Sequence, residues 1–146
     1  LCLGLSIPLI SLDSLHVLAN GVTHSNHEKH LLCPMIDARR MEVYCSVFDS
    51  SLHVMIPGGA RIIDERSFRD LLEQQTMLFF GDGAGKCKPI IDHPNARFLD
   101  NIQCNATAIG ELAYWKFQRS EFEDLHQFVP NYGKEYEAKV SRVSLS

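Results

Sequence analysis

The chain has 146 residues, of which 45% are hydrophobic and 22% charged, with a formal net charge of −4. This length predicts a single domain with its own core, and the composition excludes a disordered or collagen-like chain. The negative charge excludes a general attraction for phosphate, so a chain working on nucleic acid would need a local basic patch or a partner that provides one. Five cysteines without a C-x-x-C pair favour reduced thiols and a cytoplasmic protein, and no apolar run is long enough to cross a membrane.

Residues 1–22 predict the edge of one structural unit and a crossover into the next. Leu1 to Pro8 has the pattern of a last helical turn that leads into a strand, and Pro8 to Ser11 is the candidate strand. A helix capped by Ser11 or Asp13 follows and is expected to stop at Gly21. Because the first residue is leucine, we expect the chain to be the C-terminal part of a longer protein.

Three strands are predicted next. Leu31 to Ile36 is a continuous apolar run, and Met41 to Phe48 alternates between apolar and polar residues, so the two predict a β-hairpin. His53 to Ile56 is a third strand, which Pro57-Gly58-Gly59 is expected to end, with a candidate extension at Ala60 to Ile63. The short connections predict that the three strands are antiparallel.

Helices and strands alternate after Asp64, where the apolar period lengthens. In chain order the pattern predicts a helix from Glu65 to Gln74, a strand from Met77 to Phe80, a weak strand from Arg97 to Leu99, a helix from Cys104 to Arg119 with Ala108, Leu112 and Trp115 on its core face, and a short helix from Glu121 to Gln127. Three antiparallel strands followed by such an alternation are typical of a ribonuclease H-like α/β half. We assign it to residues 23–146.

A glycine-rich turn made by Gly81, Gly83 and Gly85 precedes Lys86 and is a candidate phosphate-binding loop. The spacing departs from G-x-x-x-x-G-K-[ST], and Cys87 stands where the hydroxyl residue belongs. A strand-to-helix turn that requires positive φ is therefore the favoured interpretation.

The chain shows no recognisable catalytic residue or metal site. His24, His27, His30 and Cys33 recur at intervals of three, but such steps drift around a helix and the intervening residues are polar, so they predict a solvated connector. Neither H-E-x-x-H nor G-x-S-x-G is present.

Asp37 lies at the end of the first predicted strand, where ribonuclease H-like folds often keep a metal-binding carboxylate. Its neighbours include Arg39 and Arg40, and no second carboxylate is identifiable near it in the sequence. We predict a polar hairpin turn in which Asp37 forms a salt bridge with Arg39 or Arg40. Ligand contact by these three residues stays open as the alternative.

The string MIDARRMEVY, from Met35 to Tyr44, resembles the I-D-A-R-x-x-E-V-Y hairpin of the bacterial TsaB (YeaZ) family. Leu3 to Ile10 is similar to that family's passage between its two halves, and Gly81 to Ala84 to its strand-to-helix turn. Pro130-x-Tyr132 with Ala138 is similar to its C-terminal P-x-Y-L-R-x-x-x-A signature, although Gly133 and Lys134 replace Leu-Arg.

The resemblance implies an actin and sugar-kinase (ASKHA) type fold of two ribonuclease H-like halves, of which this chain is the second half plus the edge of the first. It also implies a non-catalytic, cytoplasmic accessory subunit of tRNA processing. Such a subunit supports the catalytic subunit TsaD, together with the ATPase TsaE, in transferring threonylcarbamoyl to adenosine 37 of tRNA (t6A modification). ATP and metal are then expected in the partner subunits and no cofactor in this chain. The family's glycoprotease (M22) label reflects its likeness to TsaD.

Leu1, Leu3 and Leu5 are the expected partner-binding residues, as the remnant of an interface that the family builds mainly on its first half. We therefore expect this chain alone to bind TsaD poorly and to expose apolar surface suited to a homodimer. The alternative is a catalytic enzyme, either a sugar-kinase-like phosphotransferase or a peptidase. The first predicts tight Mg-ATP binding and the second predicts bound metal.

Overall fold

The computed structural model describes residues 1–130. In chain order its elements are α1 (Cys2–Leu5), α2 (Ser14–Thr23), β1 (Leu31–Asp37), β2 (Glu42–Phe48), β3 (Val54–Ile62), α3 (Arg69–Leu72), β4 (Met77–Phe80), α4 (Ala84–Cys87), β5 (Ala96–Leu99) and α5 (Ala106–Gln118). The resemblance noted at Tyr132 and Ala138 lies outside the described residues.

The strands form one mixed sheet in the order β3-β2-β1-β4-β5. The β1–β2 and β2–β3 pairs are antiparallel, with Met35 opposite Cys45 in the first of them. The β1–β4 and β4–β5 pairs are parallel, with Leu32 opposite Leu78. An antiparallel meander extended by parallel strands is the sheet of a ribonuclease H-like fold, which confirms the predicted fold class.

The core lies on both faces of the sheet because successive side chains of each strand point to opposite sides. One face packs against α3 and α4 and contains mainly Leu31, Cys33, Met35, Val43, Cys45, Val47, Leu72, Met77, Phe79 and Cys87. The other face packs against α2 and contains Leu15, Leu18, Ala19, Val22, Leu32, Phe48, Leu78 and Phe80. Burial on both faces explains why β4 is apolar at every position.

Helix α2 begins where the sequence predicts and ends later. The Asp13 side chain accepts hydrogen bonds from the backbone N–H groups of Leu15 and His16, at 2.9 and 3.1 Å, and so caps the helix. Gly21 does not stop the helix, which continues to Thr23. A Cβ atom at Gly21 would lie at the ordinary contact distance of 3.8 Å from the Cβ of Ala108, so this position of α2 faces α5.

The strand predicted from Pro8 to Ser11 is absent, and residues 7–13 form neither helix nor strand. The Leu9 carbonyl accepts a hydrogen bond from the Glu123 N–H at 2.9 Å, and the Ser11 carbonyl accepts one from Lys116 Nζ at 3.0 Å. The segment is therefore held against α5 and the residues after it instead of a sheet edge. The domain boundary between residues 22 and 23 stays a prediction.

Strand β3 continues through the sequence that was expected to end it. It runs from Val54 to Ile62, across Pro57, Gly58 and Gly59. Because β3 is at the sheet edge, the missing N–H of Pro57 is tolerated there, and the register against β2 shifts on either side of Val47. The predicted extension at Ala60 to Ile63 is thus largely part of one strand.

Two predicted helices are shorter than expected. The Asp64 carboxylate closes a turn by accepting hydrogen bonds from Ser67 Oγ and the Arg66 N–H, and Phe68 has a φ of 63°. These turns delay α3 until Arg69, so the helix predicted from Glu65 to Gln74 is wrong in length. The helix predicted from Glu121 to Gln127 is a single turn, because the Glu123 N–H is bonded to Leu9 instead of to a helical carbonyl.

Within residues 1–130, none of the helices has the length and hydropathy needed to span a bilayer.

Candidate functional site

The candidate site lies where β1 and β4 end. The two strands are parallel neighbours, so their carboxyl ends reach the same edge of the sheet. Asp37 is the last residue of β1, and the glycine-rich turn follows β4 directly. Ligands of open α/β sheets bind outside such strand ends, so the chemistry of these side chains decides what this edge can do.

Asp37 forms an ion pair with Lys86. Lys86 Nζ donates to Asp37 Oδ1 at 2.5 Å and also to the Glu42 carbonyl at 2.8 Å, while the Arg39 N–H donates to the same Oδ1 at 2.8 Å. The hydrogen bond from Lys86, followed by that from Arg39, lowers the pKa of Asp37 below its ordinary value. Asp37 is therefore held as a carboxylate whose Oδ1 already accepts two donors.

Asp82 is the second carboxylate at this edge. Its Oδ1 accepts a hydrogen bond from the backbone N–H of Asp37 at 3.0 Å. The two aspartates are 45 residues apart in the chain, so sequence proximity could not reveal them, but the parallel pairing of β1 and β4 brings them together. Among residues 1–130 no group of three His, Cys, Asp or Glu side chains is arranged to hold a metal ion.

The glycine-rich turn packs against β1. Gly81 has a φ of 98°, and a Cβ atom there would lie only 2.4 Å from the Met35 carbonyl oxygen. A Cβ at Gly83 would lie 2.9 Å from the Ile36 carbonyl carbon, and the Gly83 N–H donates to the Met35 carbonyl at 3.0 Å. Gly85 meets nothing within 4 Å. Gly81 thus has the positive φ that the sequence predicts for this turn, while Gly81 and Gly83 allow close packing against β1 and Gly85 serves neither purpose. The turn places Lys86 beside Asp37.

The hairpin tip between β1 and β2 carries two exposed arginines in left-handed backbone conformations. Arg39 has a φ of 74° and Arg40 a φ of 48°, a region that non-glycine residues occupy at a cost. The Glu42 N–H donates to the Arg39 carbonyl at 3.1 Å and closes the turn. Asp37 does not form the predicted salt bridge with Arg39 or Arg40. Its ion-pair partner is Lys86, and Arg39 contacts the carboxylate through its backbone N–H instead of its side chain.

A groove of about 930 Å³ lies beside this tip. Its walls come from the start of α2, the end of β1 and residues 128–130, and they include Asp37, Arg39, Tyr44 and Phe128. Asp37 and Arg39, for which ligand contact was the alternative to a polar turn, therefore line this groove, whereas Arg40 is not among its lining residues. The Arg39 side chain is exposed there, whereas the Asp37 carboxylate is already engaged.

The amino-terminal leucines are exposed. Leu1 is 96% exposed, and Leu3 and Leu5, in the short helix α1, are also exposed. None of the three belongs to either buried cluster of the described residues. Their role in binding a partner stays a prediction.

Helix α5 differs from the amphipathic helix that the sequence predicts. Ala108 is its buried residue, whereas Trp115 is 60% exposed and Ile109 and Phe117 are exposed as well. Only the amino-terminal half of the predicted core face meets α2, near Gly21. The helical period located α5 correctly but did not show which of its apolar residues are buried.

The histidines of the predicted connector do not converge with Cys33. His30 Nε2 lies 2.6 Å from the Glu28 carboxylate, and the Asn26 side chain bridges to the His30 backbone. Cys33 is buried within β1, on the face that packs against α3 and α4. His24 and His27 are exposed, as expected of a solvated connector, whereas Asn26 is buried and His30 is partly buried.

Comparison with known proteins identifies the fold. YeaZ from Pseudomonas aeruginosa superposes with a TM-score of 0.71 at 19% identity, over 90% of this chain and 61% of that chain. A crystal structure of an uncharacterized protein with similarity to peptidase YeaZ, also from Pseudomonas aeruginosa, gives 0.69 at 18% identity, over 91% of this chain and 62% of the other. The chain has a YeaZ-like fold. It spans about three fifths of the length of these structures.

No protein-family model and no curated protein sequence matches the chain. The likeness to YeaZ is therefore one of three-dimensional structure at low sequence identity, and it shows the fold. Within this YeaZ-like fold the Asp37–Lys86 pair and the Arg39–Arg40 tip occupy the carboxyl edge of the parallel strands.

Proposed function

We propose that the protein is a TsaB (YeaZ) type accessory subunit that supports TsaD in transferring threonylcarbamoyl to adenosine 37 of tRNA. The observation that carries this proposal is the ion pair between Asp37 and Lys86 at the end of β1. The YeaZ-like fold and the resemblance of the Met35 to Tyr44 hairpin support the choice of family.

The ion pair bears on function because a carboxylate at this edge can serve as a reacting group only if it binds a metal through an oxygen or transfers a proton. Here the ammonium of Lys86 and the amide of Arg39 both donate to Asp37 Oδ1. The same lysine follows the glycine-rich turn directly, and its pairing with Asp37 means that it is not free to hold a phosphate. The edge is thus built to stabilise the hairpin, which suits a subunit that acts through its surface.

The surface proposed to meet TsaD includes Leu1, Leu3 and Leu5. Burying an exposed leucine fully contributes about 1.5–3 kcal/mol, so three of them can supply much of the free energy of a specific interface. Leu3 and Leu5 are 58% and 61% exposed among the described residues, so a partner can still bury them. TsaE, ATP and metal belong to the partner side of the proposal, and tRNA contact is indirect.

Reconstitution of t6A formation tests the proposal. The protein, in the form that its gene encodes, is combined with TsaD, TsaE, a threonylcarbamoyl donor and unmodified tRNA from the same organism, and t6A is measured by nucleoside analysis. We expect t6A to form only when the protein is present. Asp37→Asn, with folding checked by circular dichroism, should leave the rate within a factor of about two, since Asp37 carries no chemistry.

Substitution of the leucines gives the complementary test. Changing Leu1, Leu3 and Leu5 together to serine should weaken TsaD binding in calorimetry. The control Val54→Ser with Met55→Ser, at sites on β3 about as exposed as Leu3 and Leu5, should not. Mg-ATP turnover or peptide cleavage by the protein alone, abolished by Asp37→Asn, would overturn the accessory role in favour of a kinase-like or peptidase-like enzyme.

A further inference from the structure

Strand β3 forms one edge of the sheet and pairs only on the side of β2 within residues 1–130. The Ile63 N–H donates to the Met41 carbonyl at 3.0 Å, toward β2. Because backbone groups alternate in direction along an antiparallel strand, Ala60 and Ile62 direct their N–H and C=O groups away from β2. Among residues 1–130, the last third of β3 therefore presents a row of hydrogen-bonding groups with which no other strand pairs.

The open row ends beside a basic groove. The groove has a volume of about 290 Å³ and lies between the end of β3 and residues 66–71. Arg61, Arg66 and Arg69 line it, and Asp70 is the single acidic residue among its lining residues. Three guanidinium groups thus line this groove, whereas Asp64, Glu65 and Glu73 of the same segment are not among its lining residues.

The three arginines are open to solvent. Arg69 makes a long contact of 3.4 Å to Glu73 on the surface, and Arg61 donates weakly to the Pro57 carbonyl at 3.5 Å. Such exposed contacts contribute little, so they yield readily to a better partner. Ile62, at the mouth of the groove, is 76% exposed and offers an apolar contact beside the charges.

We propose that the end of β3 binds an acidic, extended peptide segment of a partner protein by strand addition. The peptide backbone pairs with the outward groups of Ala60 and Ile62, and every second side chain then reaches the groove. Asp or Glu at those positions pairs with Arg66 and Arg69, whose planar guanidinium groups match a carboxylate. This inference does not depend on the accessory role proposed above.

Charge complementarity favours a partner peptide over the other occupants. Residues 131–146 of the chain contain three basic and two acidic residues, so that tail lacks the required acidity. RNA would satisfy the arginines but not the open backbone groups of Ala60 and Ile62. A second copy of β3 would bring its own arginines against the first set, and like charges repel.

Fluorescence anisotropy with the labelled peptide Glu-Val-Glu-Val-Asp tests the proposal on the full chain. We expect saturable binding that weakens as salt is raised. The peptides Lys-Val-Lys-Val-Lys and Glu-Pro-Glu-Pro-Asp are the controls, because the first reverses the charge and the second keeps the charge but cannot pair as a strand. Neither should bind measurably.

Two protein variants separate the charge from the backbone. Arg66→Ala with Arg69→Ala should weaken binding by about tenfold, which corresponds to about 1.4 kcal/mol. The matched control, Arg97→Ala with Arg119→Ala, removes two exposed arginines elsewhere and should change nothing. The Ile62 N–H points away from β2 and makes no bond to it, so Ile62→Pro removes a group that only the peptide would use. This variant should abolish binding and leave the melting temperature unchanged.

Hydrogen exchange gives the decisive signature. Bound peptide should slow exchange at the Ala60 and Ile62 amides and leave that of Arg61, which already faces β2, unchanged. The proposal is overturned if the proline-containing peptide binds equally well, if the two arginine pairs behave alike, or if a single-stranded RNA oligonucleotide binds the groove more tightly than the peptide. Self-association through β3, detected by sedimentation, would overturn it as well.

Discussion

The close contact between the glycine-rich turn and β1 makes Gly81→Ala the most informative single substitution for the fold. Gly81 combines a φ of 98° with a Cβ position 2.4 Å from the Met35 carbonyl oxygen. Either feature alone is costly for alanine, and the second involves backbone, which cannot move away as a side chain could. The matched control is Gly85→Ala in the same turn, where a Cβ meets nothing within 4 Å.

The expected magnitude follows from these two costs. An L-residue forced into this backbone region loses about 1–3 kcal/mol. Overpacking against the neighbouring strand adds about 1–3 kcal/mol. Gly81→Ala should therefore lower the free energy of unfolding by about 2–6 kcal/mol, a large part of the roughly 5–15 kcal/mol typical of a domain. Gly85→Ala should leave it unchanged or raise it by up to about 1 kcal/mol, because alanine favours helix α4.

Urea denaturation followed by circular dichroism measures both variants. The difference should appear in the midpoint with an unchanged slope, since the substitution alters the folded state and not the surface exposed on unfolding. If Gly81→Ala and Gly85→Ala unfold at the same urea concentration, the packing of this turn against Met35 is wrong. The placement of Lys86 beside Asp37, which depends on the turn, would then be wrong too.

Three further predictions concern charge, surface and thiols. The pKa of Asp37 is lowered in the folded state, so the ionised carboxylate stabilises the fold above its ordinary pKa of 3.8, and this stabilisation is lost as pH falls through the folded pKa. Asp37→Asn should therefore lower the free energy of unfolding at neutral pH, and the difference from the unsubstituted protein should shrink below the folded pKa of Asp37. Trp115→Ser should change the free energy of unfolding by no more than about 0.5 kcal/mol, whereas Phe79→Ala in the core should lower it by about 3–5 kcal/mol, both measured by urea denaturation. A thiol reagent should label Cys2 and Cys104 in the native protein and the three buried cysteines only after unfolding, and labelling of all five in the native state would contradict the packing of the sheet.

The sheet could be predicted from the sequence because its signals are local. A few residues suffice to identify each strand: β1 by its apolar run, β2 by its alternation and β4 by its buried run. The lengths of the connections then limit the possible strand orders of the sheet. Element ends were harder to predict. Pro57 looked like a terminus but is tolerated at an edge, and Gly21 looked like a helix stop but lies under α5, so both depend on neighbours distant in sequence.

The candidate site could be predicted only in part for the same reason. Asp37 and the hairpin tip were evident from the sequence, since one strand end and one turn define them. The lysine and the second aspartate that engage Asp37 come from the turn after β4, which is more than 40 residues away. The useful signal was present, because two parallel strands that end in polar residues must bring those residues to one edge.

The glycine turn and the ion pair depend on each other, and this dependence favours a structural role for the edge. Gly81 and Gly83 let the turn lie against Met35 and Ile36, and that position is what brings Lys86 within hydrogen-bonding distance of both Asp37 and the Glu42 carbonyl. Lys86 in turn ties the start of β2 to the end of β1. A turn of this kind holds a phosphate when its amides and lysine are free. Here the Gly83 amide and Lys86 are both engaged with β1 and β2, so the same loop position stabilises the hairpin that carries Arg39 and Arg40.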